Sequence, residues 1–248
     1  MKFLPIDCGD YIVKLATTKE ELEEVFKLRY EELLLYYNKD NVKKDGLFID
    51  EYDKYCDHLI CYDKVNKKVA GTYRLVLEKH IKNIGKFITE DEYDISKIKS
   101  KRILELGRAV VKEEYRNGVV IKLLWKGIFN YTKLHNIKYL FGTGSFHGID
   151  HLKYEHALSY IYHNHLSPQE LRVQARKNSR VDINLISKEY IDHQKVKEQM
   201  PPLIKGYIKI GATFGEDAFI DKEFNSIDVF VLLDLEEVNP LILKRFIS

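Results

Sequence analysis

The chain has 248 residues, of which 45% are hydrophobic and 31% charged. That composition belongs to a globular protein and excludes a disordered or low-complexity chain. Against 40 Lys and Arg stand 38 Asp and Glu, a formal charge of +2, which is too balanced for nucleic acid to be the main partner.

The N-terminal segment MKFLPIDCGDYIVKL has an apolar stretch too short and too soon interrupted for a signal peptide. No apolar run reaches the ~18 residues that a spanning helix needs. The three cysteines, Cys8, Cys56 and Cys61, are odd in number and form no C-x-x-C. Neither a disulfide framework nor a cysteine metal site is indicated. The expected location is the cytoplasm, with peripheral contact at the inner face of the membrane left open.

Tyr11–Ala16 reads as a first strand, with Tyr11, Val13 and Leu15 on one face. Thr18 and Glu21 make a capping box, and Leu22, Val25, Phe26 and Arg29 repeat at helical spacing to about Tyr37. Asn38–Asp57 is a polar, acidic loop, long enough to suggest function. His58–Asp63 and Lys68–Leu77 form a hairpin across the turn Lys64–Lys67. Glu78–Lys101 reads as a charged, irregular connection.

Then come a strand Ile103–Val111, a turn Lys112–Gly118, a helix Val119–His135 and a strand Ile137–Phe141. His151–Tyr162 and Pro168–Lys177 read as helices in an aromatic and basic insertion. Pro201 opens another helix and Gly211 closes it. Strands Thr213–Ile220 and Ile227–Leu235 follow. No linker or repeat divides the chain, so 1–248 reads as one domain with a helical insertion at about 150–200. The fold class is α/β (mixed α+β), a central mixed sheet of about seven strands with helices on both faces.

The segment Leu104–Gly148 stands out. A strand carrying Glu105 and Arg108 runs through a glycine-containing turn into a helix. Amides at a helix N-terminus beside an ionisable strand suit an anion and a developing negative charge. Glu105 and Arg108 are three apart, so a regular strand sends them to opposite faces. A bulge at Gly107 would bring them to one side, and such a bulge is expected.

Seven segments carry a family resemblance: IDEYDKYCDHL (Ile49–Leu59), AGTYRLV (Ala70–Val76), LELGRAVVKEEYR (Leu104–Arg116), LLWKGIFNY with YLFGTGSF (within Leu123–Phe146), and PPLIKGYIKIGATF with FNSIDVFVLLDL (within Pro201–Leu235). Together with the element order they resemble the GNAT acyltransferases, in the branch that holds the bacterial ornithine-lipid N-acyltransferases, also called hemolysin-like proteins. A more distant likeness to acyl-homoserine-lactone synthases and long-chain N-acyl amino acid synthases rests on Arg29, Asp50, Asp53, Arg74, Glu105 and Arg108.

The resemblance implies a GNAT-like sheet and an N-acyltransferase. The enzyme would move a long fatty acyl group, with or without a 3-hydroxyl, from acyl carrier protein to the α-amine of ornithine or another amino acid. The thioester of acyl carrier protein or coenzyme A is then a co-substrate, with no permanently bound cofactor and no metal. In one respect the chain departs from the family: after Arg116, Asn117 and Gly118 come bulky Val119 and Val120, where acetyl-coenzyme A loops carry a second small residue. That weakens the case for free coenzyme A as donor, but the turn's amides remain available to a pantetheine phosphate.

Glu105 is the candidate base, since burial in a strand of apolar neighbours favours proton binding. A structural ion pair of Glu105 with Arg74 or Arg108 is an equal alternative. Arg108 is placed with it as catalytic. Asp50 and Asp53 are candidates for the acceptor ammonium, and Arg29 and Arg74 for its carboxylate, because a guanidinium grips carboxylates bidentately. Val110, Val111, Arg116, Asn117, Gly118 and Val119 are assigned to the donor, with Ser145 facing the leaving group from a loop. Arg172 and Arg176, four apart on a helix face, join Lys177 and Arg180 as a basic patch for an acidic carrier protein or lipid head groups.

No G-x-S-x-G elbow is present, so direct attack by the amine is preferred. The His58…Asp63 spacing of glycerolipid acyltransferases reads as coincidence. His147, His151, His156, His163 and His165 match no zinc pattern and read as surface or capping residues. Two other readings stay open: an acyl-homoserine-lactone-type synthase using S-adenosylmethionine, and a non-catalytic module that holds carrier protein or lipid.

Overall fold

The computed structural model of the chain describes residues 2–239. In chain order its strands are β1 (Ile6–Cys8), β2 (Tyr11–Leu15), β3 (Asp57–Asp63), β4 (Lys68–Leu77), β5 (Tyr93–Asp94), β6 (Ile103–Val111), β7 (Tyr139–His147), β8 (Gln174–Ala175), β9 (Arg180–Asp182), β10 (Thr213–Asp221) and β11 (Ser226–Asp234). Its helices are α1 (Lys19–Arg29), α2 (Leu35–Tyr37), α3 (Glu78–Ile84), α4 (Ser96–Lys99), α5 (Val119–Leu134), α6 (Glu155–His165), α7 (His193–Gln199) and α8 (Pro202–Ile210). The mixed α/β class is as expected, and the strands outnumber the seven or so foreseen.

The described residues gather into two compact units, one of 2–86 and 104–137, the other of 87–103 and 138–239. In the first unit the strand order is β1-β2-β3-β4-β6, and each of these pairings is antiparallel. Helix α1 starts where the sequence places it. Thr18 accepts from the Glu21 amide, and Glu21 reaches back to complete the capping box, worth about 1 kcal/mol. From Tyr30 to Leu34 the helix widens into a π-helical turn before α2.

The two helical faces of this sheet follow from side-chain parity. Val25 and Leu28 of α1 pack on Ile60, Val69 and Val110. On the other face Tyr73 meets Trp125 of α5 edge-on, and α5 presses close. A Cβ on Gly127 would stand 2.6 Å from Val13 Cγ1, and one on Gly71 would stand 2.8 Å from Val120 Cγ1. Val120 is thus accommodated by the missing side chain of Gly71, a large-for-small exchange across the helix–strand contact.

The second unit holds an antiparallel sheet, β7-β11-β10-β9, and a short ribbon, β5-β8. Helix α8 begins one residue later than expected, with Pro201 as its cap, and Gly211 ends it at φ 97°. Three expectations are corrected here and at the N-terminus. Glu78–Lys101 is an ordered stretch of short elements on buried Phe87, Tyr93, Ile95 and Ile98. Pro168–Lys177 is no helix: Leu171, Val173 and Ala175 are buried and the residues between them are not, which is the period of a strand. The N-terminal strand β1, unforeseen, pairs with β2.

Candidate active site

Every candidate for acceptor binding and catalysis lies in the first unit, on the sheet face covered by α1. His58, Arg74 and Gly107 occupy one cross-strand row of β3, β4 and β6, and Val76 opposite Glu105 comes next. Residues that face each other in a ladder share a side of the sheet. Glu105 and Arg74 therefore project to the same side, and Glu105 is 4% exposed.

The expected bulge is present, one residue beyond Gly107. Thr72 pairs with Val110 and Arg74 with Gly107, so Tyr73 faces both Arg108 and Ala109. The residue that takes the left-handed conformation is Arg108, at φ 50°, which costs an L-residue about 1–2 kcal/mol. The bulge turns the Arg108 side chain back: its Nη2 lies 3.1 Å from Asp50 Oδ2, the oxygen that Arg74 Nη1 holds at 2.5 Å. Arg108 also lies 4.5 Å above the Phe48 ring.

These contacts extend into a lattice. Asp53 Oδ1 accepts from Arg29 Nη1 at 2.7 Å and from Arg74 Nη1 at 3.1 Å, while Asp53 Oδ2 accepts the Asp50 amide at 2.9 Å. Three guanidiniums thus meet two carboxylates, leaving one positive charge before Glu105 is counted. Burial opposes ionisation of Asp53, but Arg29 and Arg74 outweigh it and hold the carboxyl well below its ordinary range. Asp50 is lowered against the same burial, chiefly by Arg74. Burial brings Arg29 down to about 10, whereas the two aspartates raise Arg74 in spite of burial. Arg108 is lowered by burial and then by Arg74.

His58 belongs to this lattice. Arg29 Nη2 donates to its Nδ1 at 2.9 Å, and its Nε2 lies 2.9 Å from the Asp53 carbonyl. A guanidinium only donates and a carbonyl only accepts, so the ring is neutral with its proton on Nε2. Burial, then the charge of Arg29, pushes its pKa down to about 4. Asp63 is held elsewhere, by Asn66, Val65 and Tyr115, so His58 and Asp63 form no pair. Cys56 sits amid the acidic and basic groups; burial first, against Arg74 and with Asp53, Asp50 and Glu105, pushes its thiol up to about 12.

Two buried N–H groups of the lattice, Arg29 Nε and Arg74 Nε, make no hydrogen bond within the protein. A buried donor left so costs about 1–3 kcal/mol. Arg74 Nε points over Gly107, where a Cβ would stand 3.9 Å away and within 4 Å of nothing else. Asp53, expected beside Asp50 as an ammonium ligand, has both oxygens engaged by protein donors. Asp50 is the acidic group with surface to offer, 21% of its side chain being exposed.

The donor turn has its own internal order. Gly118 takes φ 90° and caps the sixteen-residue α5, a conformation that glycine adopts without strain. Asn117 Oδ1 accepts the Val119 amide at 3.0 Å. Arg116 is tied inward, through Nε to the Val111 carbonyl at 3.0 Å and through Nη2 to Glu32 at 2.6 Å. The side chain of Val110 lies in the core, leaving only its backbone for a ligand.

Ser145 is in the second unit, inside β7 and opposite Asp228, not in a loop. The basic residues are there too, without the helix that was to align them. Arg172 Nε donates to the Ser167 carbonyl, Arg176 Nε to that of Glu90, and Arg180 pairs with Asp217 at 3.6 Å. Arg176, Lys177 and Arg180 are exposed. Among the histidines, His156 Nδ1 accepts the amide of Asp192, the cap of α7, and His163 Nε2 lies against the Ile186 carbonyl. Among the described residues Glu92, Asp221 and Asp228 bring one oxygen each within 4.8 Å of one another. No described helix is long and apolar enough to cross a membrane.

Comparison with known proteins places this geometry. A family model described as acetyltransferase (GNAT) domain matches residues 28–126, a span that contains the lattice and the donor turn. An L-ornithine N(alpha)-acyltransferase of Rhodobacter capsulatus is 34% identical over 92% of this chain and 92% of its own length. One of Brucella abortus is 32% identical over 97% of this chain and 88% of its own. Among solved structures the CoA-dependent acyl-homoserine lactone synthase BjaI, with SAM and isopentyl-CoA, superposes at a TM-score of 0.51 with 13% identity, covering 92% of this chain and 81% of that one. TofI, in complex with an inhibitor and MTA, gives 0.51 with 10% identity over 91% of each chain. At that identity the likeness is one of fold. The chain is an acyltransferase and belongs to the GNAT family of the L-ornithine N(alpha)-acyltransferases.

Proposed function

We propose that the chain transfers a long-chain fatty acyl group from acyl carrier protein to the α-amine of ornithine, by direct attack of the amine on the thioester. The observation that carries this reading is the arginine–aspartate lattice beside buried Glu105. It offers a carboxylate for a proton, and guanidiniums with unspent N–H groups for the oxygen of an anion. The relatives named L-ornithine N(alpha)-acyltransferase support ornithine as the acceptor.

In this scheme Arg74 Nε, over the bare Cα of Gly107, takes an oxygen of the acceptor carboxylate. The exposed edge of Asp50 faces the acceptor's positive end. Asp53, His58 and Arg29 hold those groups in place. Glu105, directly or through water, takes a proton from the ammonium, and the freed lone pair forms the C–N bond at the thioester carbon. Collapse of the tetrahedral intermediate breaks the C–S bond, and the thiolate leaves with the proton that the newly bonded nitrogen sheds as it becomes a neutral amide. The extra residue at the bulge steps out of the β4 ladder and can turn its amide to the developing oxyanion. The amides at the start of α5 take the pantetheine phosphate. Exposed Arg176, Lys177 and Arg180 suit an acidic carrier or anionic lipid.

Purified protein, offered long-chain thioesters of acyl carrier protein and of coenzyme A with a panel of amino acids, tests this. The expected result is an N-acyl product with ornithine, made faster from the carrier protein and lost in Glu105→Gln. Absence of an acylated product with every amine would overturn it. Release of methylthioadenosine from S-adenosylmethionine would support the lactone-synthase alternative instead.

A further inference from the structure

One helix end carries two anchors three residues apart. Arg29 closes α1 and holds Asp53. Glu32 follows in the π-helical turn and holds the donor turn. Its Oε2 accepts from Arg116 Nη2 at 2.6 Å and its Oε1 from the Glu113 amide at 3.1 Å. Arg116 is fixed again by its bond to the Val111 carbonyl. Both oxygens of one carboxylate are therefore spent on the segment between β6 and α5. The Glu32 side chain is 16% exposed and that of Arg116 46%.

We infer that Glu32 is a positioning residue for the acyl donor, acting through Arg116 and Glu113 rather than by touching substrate. A guanidinium bound on two sides presents its remaining N–H groups in one direction. The turn that would receive the donor phosphate is thereby registered on the element that carries Arg29. The π-helical turn is the local device: its wider winding displaces residues after Arg29 from the α-helical course. This inference rests on the acyl-transfer reading above and deepens it.

The test is steady-state kinetics of Glu32→Gln, Arg116→Gln and the double variant, with the acyl donor and the amine varied separately. Glu32→Gln keeps the side-chain shape and removes the charge. The expected result is a donor KM raised about three- to tenfold, the scale of a half-exposed, charge-assisted pair. The KM for the amine, and kcat at saturating donor, stay within about twofold. The double variant should fall clearly short of the product of the two single effects, because the two side chains share one ion pair.

Hydrogen exchange gives a second readout. The Glu113 amide should exchange faster in Glu32→Gln, while amides of β3 and β4 do not change. A donor KM equal to wild type, or additive effects in the double variant, would overturn the inference. So would equal rises in both KM values with a fall in Tm, which would mark a structural role. If wild-type protein transfers acyl groups from no donor, the parent reading fails, and that arm shows it without any variant.

Discussion

Replacing Asp53 by Asn perturbs the lattice at its centre with little change of shape. The carboxylate is 3% exposed and accepts from Arg29, Arg74 and the Asp50 amide. Asn offers one acceptor oxygen and an NH₂ group, which must face a guanidinium or the amide. Two buried arginines then lose their shared anion. Removing one partner of a buried ion pair costs about 3–5 kcal/mol, or roughly 10 °C in apparent Tm for a chain of this size. Asp50→Asn should cost less, because Asp50 is partly exposed and solvent screens its pair with Arg108. Urea and thermal unfolding of the two variants measure this directly. The pH dependence adds a signature. The folded-state pKa of Asp53 lies below the unfolded value, so its stabilisation is fully present above about pH 4 and drains as the pH falls further. The gap between wild type and Asp53→Asn should narrow progressively as the pH falls below about 4. An Asp53→Asn variant within about 1 kcal/mol of wild type at pH 7, or a gap that widens in acid, would refute the lattice as a source of stability.

His58 makes a separate pH prediction. Its folded pKa of about 4 lies below the unfolded value near 6.5. Stability is complete above pH 6.5 and falls by about 3 kcal/mol as the pH drops toward 4; His58→Gln should flatten that part of the curve. Glu105→Gln should lower kcat on the order of a hundredfold or more while circular dichroism stays unchanged, and a residual rate within about threefold of wild type would remove Glu105 from the chemistry. Gly127→Ala places a Cβ 2.6 Å from Val13 Cγ1 and 3.0 Å from Leu59 Cδ2. It should destabilise by about 1–3 kcal/mol with KM values unchanged, which denaturant titration beside kinetics would check.

The capping box of α1, the hairpin of β3 and β4, and the strand–turn–helix from β6 to α5 were legible in the sequence because each is written in local signals. The bulge was legible too, from the odd spacing of Glu105 and Arg108. Glycine pointed one residue early, since Arg108 itself takes the left-handed conformation. The spacing of His58 to Asp63 carries no hint of the lattice, because its cross-strand partner in β4, Arg74, is set by register. Glu32 gave no signal: beside Glu31 it reads as part of a solvated helix face, and its partners are 81 and 84 residues away. In Leu171–Arg176 turn formers and arginines mask the two-residue period of Leu171, Val173 and Ala175. The short elements of 78–101 fall below the window in which periodicity can be seen.

The proposed reaction joins a fatty acyl group to the α-nitrogen of ornithine. Mass spectrometry of lipids from a host that makes no such lipid, expressing the chain or its Glu105→Gln variant, tests it most directly. New N-acyl-ornithine species of long chain length are expected, with fragments that place the acyl group on the α-nitrogen, and none with the variant. A lipid profile unchanged by folded wild-type protein, or acylation elsewhere than on an amine, would contradict it.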